Sequence, residues 1–373
     1  MGLWKKVTGI IKDKNSIVWA NFSGKSSFRN PDLETSIIKA TSHDEYHIDK
    51  RNAQIVFSWI RASPISLRPL VWALSRRMEK TRSWVVAVKG LMLMHGVFYC
   101  KVPAVEKMGR LPFDLSSFAD GDTTSGKTWG FNAFVREYYA FLDQRALVLS
   151  EKDNRKADDC SPMAQQLSKL QKLQSLLDML LQVKPRAENM KLPLILEAMD
   201  CIIIEIYDVY SRICAEITKV LLNIYSVKKP EAATALKVLQ KAMTQGEELS
   251  SFFDSCKEFG VMNANEFPTV AQIPKEEVEE LERIVNWASD TTYEDSIGDY
   301  SIEENDETAA IVEHKEALKT VITDKWVVFD ENLKINEENK NKNFSFAEET
   351  AALIEYVPVY NSHRQEIPDL ISF

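Results

Sequence analysis

The sequence predicts an all-α protein: a solenoid of stacked antiparallel helices joined by short loops and followed by a polar tail. Three observations lead there. Apolar residues recur at helical spacing in segment after segment, with no sustained period-two alternation and no strands alternating with helices. Glycine and proline are sparse, at 12 and 13 in 373 residues, which disfavours sheet folds built on many tight turns. Hydrophobic residues make up 45% of the chain, enough for a sizeable core.

The N-terminal segment is amphipathic. At about 100° per residue, Leu3, Trp4, Val7, Ile10, Ile11, Ile17 and Val18 fall within one continuous arc. Lys5, Lys6 and Lys12 lie outside that arc, and Lys14 intrudes. Such a helix can lie in a membrane interface or pack on the domain as an ordinary helix, and the pattern alone leaves both open. Gly2 is followed by Lys6 where a myristoylation motif needs Ser or Thr, so that modification is not expected.

The core helices follow. Residues 53–61 place Ala53, Val56, Phe57 and Ile60 on one face. Residues 83–99 run through Trp84, Val85, Val88, Leu91, Met92 and His95, with His95 expected as a hydrogen-bonded core histidine. Residues 131–147 align Phe131, Phe134, Val135, Tyr138, Phe141, Leu142 and Ala146. Ser161-Pro162 reads as an N-cap with a first-turn proline, opening a helix with Met163, Leu167, Leu170, Leu173, Leu177, Leu180 and Leu181. The stretch Leu192–Tyr225 is the most hydrophobic, but Glu197, Asp200, Glu205, Asp208, Arg212, Glu216 and Lys219 interrupt it, so it reads as a buried core helix and not a membrane span. A further helix starts at Pro230 and stops at Gly260. After about Val285 the composition turns to Asp, Glu, Ser and Thr, then Asn and Lys. This divides the chain into a helical domain over residues 1–290 and a largely disordered acidic tail over 291–373.

Charge is unevenly spread over a net −9. Residues 1–51 hold nine bases against six acids, whereas residues 275–307 hold thirteen acids against Lys275 and Arg283. The total argues against a nucleic-acid binder, and the basic head points to an anionic surface approached by one end. Five scattered cysteines without a CxxC pair suit reduced thiols in the cytosol, and no signal peptide is visible.

Catalytic motifs do not survive inspection. Gly121-Asp-Thr-Thr-Ser-Gly126-Lys127-Thr128 matches GxxxxGK[ST], but a phosphate-cradling loop needs a buried strand before it, and Leu111–Asp120 is polar and proline-containing. His43-Asp44-Glu45-Tyr46-His47 lacks the glutamate directly after the first histidine that a zinc helix needs; it reads as a solvent-exposed turn. No serine or cysteine has a nucleophile signature. The expectation is no enzyme, no metal and no cofactor.

Lys39-Ala-Thr-Ser-His43, Ser83-Trp-Val-Val-Ala-Val-Lys89, Phe113-Asp-Leu-Ser-Ser-Phe118 and later segments stand in an order that resembles the ANTH domain of clathrin assembly proteins, the CALM-like family of plant type. Lys39-Ala-Thr-Ser-His43 is similar to its KAT-x-H signature, and Ser83-Trp-Val-Val-Ala-Val-Lys89 to its SWVVxxK helix. Phe113-Asp-Leu-Ser-Ser-Phe118 and Phe134-Val-Arg136-Glu-Tyr138 with Phe141-Leu142 match further segments, as do Lys229-Pro230-Glu231-Ala232 and Phe259-Gly260-Val261. The resemblance covers about residues 1–290 and implies an ANTH-type solenoid that binds phosphatidylinositol 4,5-bisphosphate membrane.

In that family a K-x9-K-x-[KR]-[HY] pattern grips inositol phosphates. Lys39 matches its first position and Arg51 its third; Asp49 stands in place of the second lysine and Asn52 in place of the final His or Tyr. Lys50 substitutes one residue along, and His43 completes the expected phosphoinositide set. Asp49 reads as a helix cap whose charge repels a nearby phosphate. In the membrane helix Leu3, Trp4, Lys5, Lys6, Val7, Ile10 and Ile11 are the expected contacts.

In the tail, Leu353-Ile354-Glu355-Tyr356 and Leu370-Ile371-Ser372-Phe373 fit the L-Φ-x-Φ clathrin box, so clathrin heavy chain is the expected partner. The resemblance also implies a SNARE-binding groove on the late helices. Expected is therefore a non-enzymatic trafficking adaptor, cytoplasmic and peripheral on plasma-membrane coated pits, coated vesicles and the Golgi. The alternative is a helical interaction scaffold that has lost lipid binding; a P-loop NTPase ranks third.

Overall fold

The computed structural model describes residues 3–22, 29–121, 128–154, 161–223, 229–265 and 282. Among these the chain forms α1 (Leu3–Phe22), α2 (Pro31–Ala40), α3 (Lys50–Ala62), α4 (Leu67–Lys80), α5 (Trp84–Tyr99), the short α6 (Pro103–Glu106), α7 (Trp129–Asn154), α8 (Pro162–Gln182), α9 (Pro193–Leu222) and α10 (Lys229–Phe259). No strand occurs among the described residues. The expectation of an all-α fold holds, and the apolar residues named above for residues 53–61, 83–99, 131–147 and the helix opened by Ser161-Pro162 are buried except Met163, which is half-buried, whereas those of the N-terminal arc that are described are not buried.

The described residues fall into two compact units, one within Met1–Asp153 and Pro185–Cys201, the other within Asn154–Lys184 and Ile202–Lys340. In the first, α5 is the central helix. Its sequence is apolar on all sides, which suits only a helix surrounded by others, and every residue from Trp84 to Phe98 is buried. Two glycines let neighbours approach it closely. A Cβ on Gly90 would overlap Met78 of α4, and one on Gly96 would lie 2.8 Å from Phe57 Cε1 of α3 and closer still to its Cζ. We expect Gly96→Ala to lower stability by about 1–3 kcal/mol through overpacking. A thermal or urea melt checks this, and an unchanged midpoint would show that Phe57 can retreat freely. His95 pairs with the Tyr138 hydroxyl at 2.8 Å, the buried role expected of it.

Helix ends follow local rules. Asn30 caps α2 by accepting from the Asp32 and Leu33 N–H groups at 3.1 and 3.3 Å, with Pro31 in the first turn. Hydrophobic periodicity did not single out α2 or α4. α2 is only ten residues long, and α4 carries Arg68, Arg76, Arg77, Glu79 and Lys80 around a narrow stripe of Leu70, Ala73, Leu74 and Met78.

In the second unit α8 packs on α10. The leucine stripe from Leu167 to Leu181 is buried, and buried amides add specificity: Gln174 Nε2 donates to Val238 O at 2.8 Å and Gln245 Nε2 to Gln174 O at 2.7 Å. Ser161 caps α8 as expected, accepting from Ala164 N–H at 3.1 Å. α10 ends as expected at Gly260, whose φ of 92° is open to glycine; Val261 N–H donates to Cys256 O at 3.0 Å and Gly260 N–H to Lys257 O at 3.0 Å, closing a Schellman motif.

Candidate functional site

The three bases expected to grip a headgroup flank one loop. Lys39 stands in the last turn of α2, Lys50 and Arg51 in the first turn of α3, and α2 packs against α3. Lys39 and Arg51 are exposed, and neither has an ion pair to a described residue. Lys50 is half-buried.

The loop between them, Thr41 to Asp49, is held by side chains from four helices. Arg77 of α4 donates from Nε to Thr41 Oγ1 and from Nη2 to Thr41 O, each at 2.5 Å, and also from Nη2 to Asp13 Oδ1 at 2.8 Å. Asp13 of α1 accepts the His43 N–H at 2.9 Å and pairs with His43 Nδ1 at 2.9 Å. Lys89 of α5 donates to Ser42 Oγ at 3.2 Å. Glu197 of α9 accepts the Ile48 N–H at 3.2 Å and meets His47 Nδ1 at 3.3 Å. A loop pinned in this way presents its flanking bases without much ordering cost when a ligand arrives.

The electrostatics of the pins are consistent with that role. Burial pushes the Asp13 carboxyl up, but hydrogen bonds from His43 and Arg77 more than offset this, and it titrates below its ordinary range. Lys89 is fully buried. Burial pulls it down to about 8, opposed by the carboxylates of Asp44, Glu197, Asp13 and Asp49.

The KAT-x-H segment therefore divides by role. Only Lys39 faces outward; Ala40 and Thr41 are buried, and His43 is a half-buried structural ligand of Asp13. The expected solvent-exposed turn holds for His47 but not for His43. Asp49 is the N-cap of α3: its carboxylate accepts from Asn52 N–H at 3.0 Å and from Asn52 Nδ2 at 2.7 Å. The substitution of Asn52 for an aromatic or histidine is thereby explained, since its amide completes the cap. It also puts a carboxylate at the helix start where a phosphate would seek N–H donors.

Sequence reasoning missed Asp13, Arg77, Lys89 and Glu197 as the pins. Two of them carried a signal. Lys89 is a charge inside a helix apolar on every side, and Glu197 interrupts the most hydrophobic run of the chain. A buried charge needs a partner, and each partner here is the same loop.

α1 settles on the domain by an unexpected face. Gly9 and Ala20 are buried, and a Cβ on Gly9 would lie 2.6 Å from His43 Cβ, so the helix backbone comes down onto the loop. The apolar arc points the other way: Ile10 is 54%, Ile11 52% and Phe22 85% exposed, with Val7 and Val18 about half exposed. The side chains of Leu3, Trp4, Lys5 and Lys6 lie outside the described residues, as do Leu353, Ile354, Tyr356, Leu370, Ile371 and Phe373 of the tail. So do residues 122–127 of the GxxxxGK[ST] match. What precedes that match is loop rather than strand: Asp120 accepts the Trp84 N–H at 2.9 Å and Gly121 N–H donates to Arg82 O at 2.8 Å. No helix among the described residues is long and apolar enough to cross a membrane.

Comparison with known proteins agrees with this architecture. An Arabidopsis thaliana protein named as a clathrin assembly protein is 46% identical over 382 residues, covering all of both chains. A second of that name from the same plant is 48% identical over 343 residues, 89% of each chain. A clathrin coat assembly protein of Arabidopsis thaliana is 26% identical over 324 residues, 75% of this chain and 49% of its own length. The ANTH domain family model matches residues 32–286. With that match spanning more than half of its length, the chain belongs to the ANTH domain family.

Proposed function

We propose that this chain is a peripheral clathrin adaptor whose helical domain, residues 1–290, docks on membrane containing phosphatidylinositol 4,5-bisphosphate and whose tail, residues 291–373, recruits clathrin heavy chain. Family membership makes it an adaptor rather than an enzyme. The carrying observation is the outward apolar face of α1 beside a pinned loop flanked by exposed bases. Lys39, Lys50 and Arg51 would meet the headgroup phosphates through charge-assisted contacts, while Val7, Ile10 and Ile11 enter the boundary between headgroups and acyl chains. The relatives' names support the clathrin half; the SNARE expectation gains no support from them. A second reading, a scaffold with little lipid binding, is favoured by one observation, the Asp49 carboxylate at the start of α3.

Vesicle flotation with and without phosphatidylinositol 4,5-bisphosphate separates the two readings: the adaptor floats only with the inositide, the scaffold with neither. For the clathrin half, Leu353, Ile354, Leu370 and Ile371 changed together to Ala should abolish pull-down of the clathrin terminal domain, because two weak linked boxes act through effective concentration. Undiminished pull-down by that quadruple variant would remove the boxes from the proposal.

A further inference from the structure

A second basic feature of the first unit lies apart from Lys39, Lys50 and Arg51. Between α1 and the α4–α5 corner opens a cleft of about 1160 Å³, large enough for a phosphorylated sugar-sized ligand. Six bases line it against two acids, and none of the three loop-flanking bases is among them.

Both acids are already committed. Glu34 pairs with Arg29 at 2.9 Å, and Asp120 accepts the Trp84 N–H at 2.9 Å. Of the bases, Arg77 is spent on Asp13 at 2.8 Å. Lys12, Arg76, Lys80 and Arg82 have no ion pair to a described residue and are all exposed toward solvent. Two guanidiniums are held in place by one indole: Arg29 stacks 4.6 Å and Arg76 5.2 Å from the Trp72 ring centroid. Stacking fixes the plane of Arg76 while leaving its N–H groups available. Arg29 Nε, moreover, is buried and has no hydrogen-bond partner. Like charges gathered in one concavity repel each other, and an anion with several charges relieves them all at once.

We propose that this cleft is a second anion site, one that takes a multiply phosphorylated ring through Lys12, Arg76, Lys80 and Arg82. The chemistry is shared by a membrane inositide headgroup and by a soluble inositol phosphate. The first source is the better supported: the α1 residues that line the cleft flank its outward apolar arc, so a helix seated in a bilayer holds the cleft at phosphate level. That lipid arm rests on the membrane reading above; the soluble arm does not.

The test titrates soluble inositol 1,4,5-trisphosphate into the full chain by calorimetry and runs vesicle flotation in parallel. Lys80→Glu with Arg82→Glu should weaken the soluble ligand by about tenfold or more, since contacts to charged groups are each worth roughly that factor. Lys39→Glu with Arg51→Glu should leave the cleft event in place. If the first pair also lowers flotation on phosphatidylinositol 4,5-bisphosphate vesicles, the occupant is a lipid headgroup. If it lowers only the soluble titration, the site stands and its occupant is the free phosphate. If the Lys80/Arg82 variant titrates like wild type, or wild type shows no binding at all, the proposal is overturned. Both positions are exposed, so the fold should survive; Arg76→Gln, with its own titration, covers a variant that does not fold. Flotation lost through α1 alone, with the soluble titration intact, would fault the membrane reading and not the cleft.

Discussion

Replacing Lys39 and Arg51 together by glutamate is expected to lower inositide-dependent membrane affinity by about two orders of magnitude or more. Each charge-assisted hydrogen bond to a phosphate is worth roughly 1.5–3 kcal/mol, and tenfold in affinity corresponds to about 1.4 kcal/mol. The fold should be untouched, because both side chains are exposed and neither is among the pins of the loop. The effect should shrink as salt rises, since exposed charges are screened within about 10 Å at 0.1 M. The structure also indicates how to strengthen the site. Asp49→Lys would remove the repulsive carboxylate but forfeit a cap worth about 0.5–2 kcal/mol. Asp49→Asn keeps a capping oxygen and loses the charge, so it should tighten binding with little change in melting temperature. Flotation across a salt series reads both. If the Lys39/Arg51 variant floats like wild type, these bases are only a solvated face and the headgroup site lies elsewhere.

Placing serine at Ile10 and Ile11 is expected to cost a further ten- to hundredfold in membrane affinity, or about 1.5–3 kcal/mol, because two half-exposed side chains lose their transfer into the interface without any change of charge. The signature differs from that of the basic pair. An apolar contribution is not screened, so this loss should persist at high salt, where the Lys39/Arg51 loss fades. The melting temperature should change little, because these side chains are about half exposed on the outward face of α1. A lowered melting temperature with unchanged flotation would show that the outward face packs on another part of the chain and not on lipid.

Much of the fold was legible because its long helices obey one rule. Phe134, Tyr138 and Phe141 recur at helical spacing on α7, as do Leu170, Leu173 and Leu177 on α8, and all are buried. Ser161-Pro162 and Gly260 marked helix ends through backbone chemistry that acts over a few residues. The short charged helices α2 and α4 were not singled out, because burial of a narrow stripe is decided by neighbours remote in sequence. The site was half legible. The candidate bases Lys39, Lys50 and Arg51 could be named from the resemblance to the family's basic pattern, whereas the residues that fix their loop could not.

The sequence by itself determined the helical class, the start of α8, the end of α10 and the amphipathic character of α1, since each depends on residues within a turn or two of one another. Only the tertiary structure decided which face of α1 the domain accepts. A buried Gly9 against His43 seats the backbone and turns the isoleucines outward, a choice that no periodicity contains. It also decided that His43 is a brace, that Asp49 and Asn52 form one cap, and that Asp13, Arg77, Lys89 and Glu197 reach a single loop, Glu197 from 150 residues beyond His47. The physical reason is common to these cases: a buried charge needs a partner in space, and partners in space are set by packing rather than by proximity along the chain.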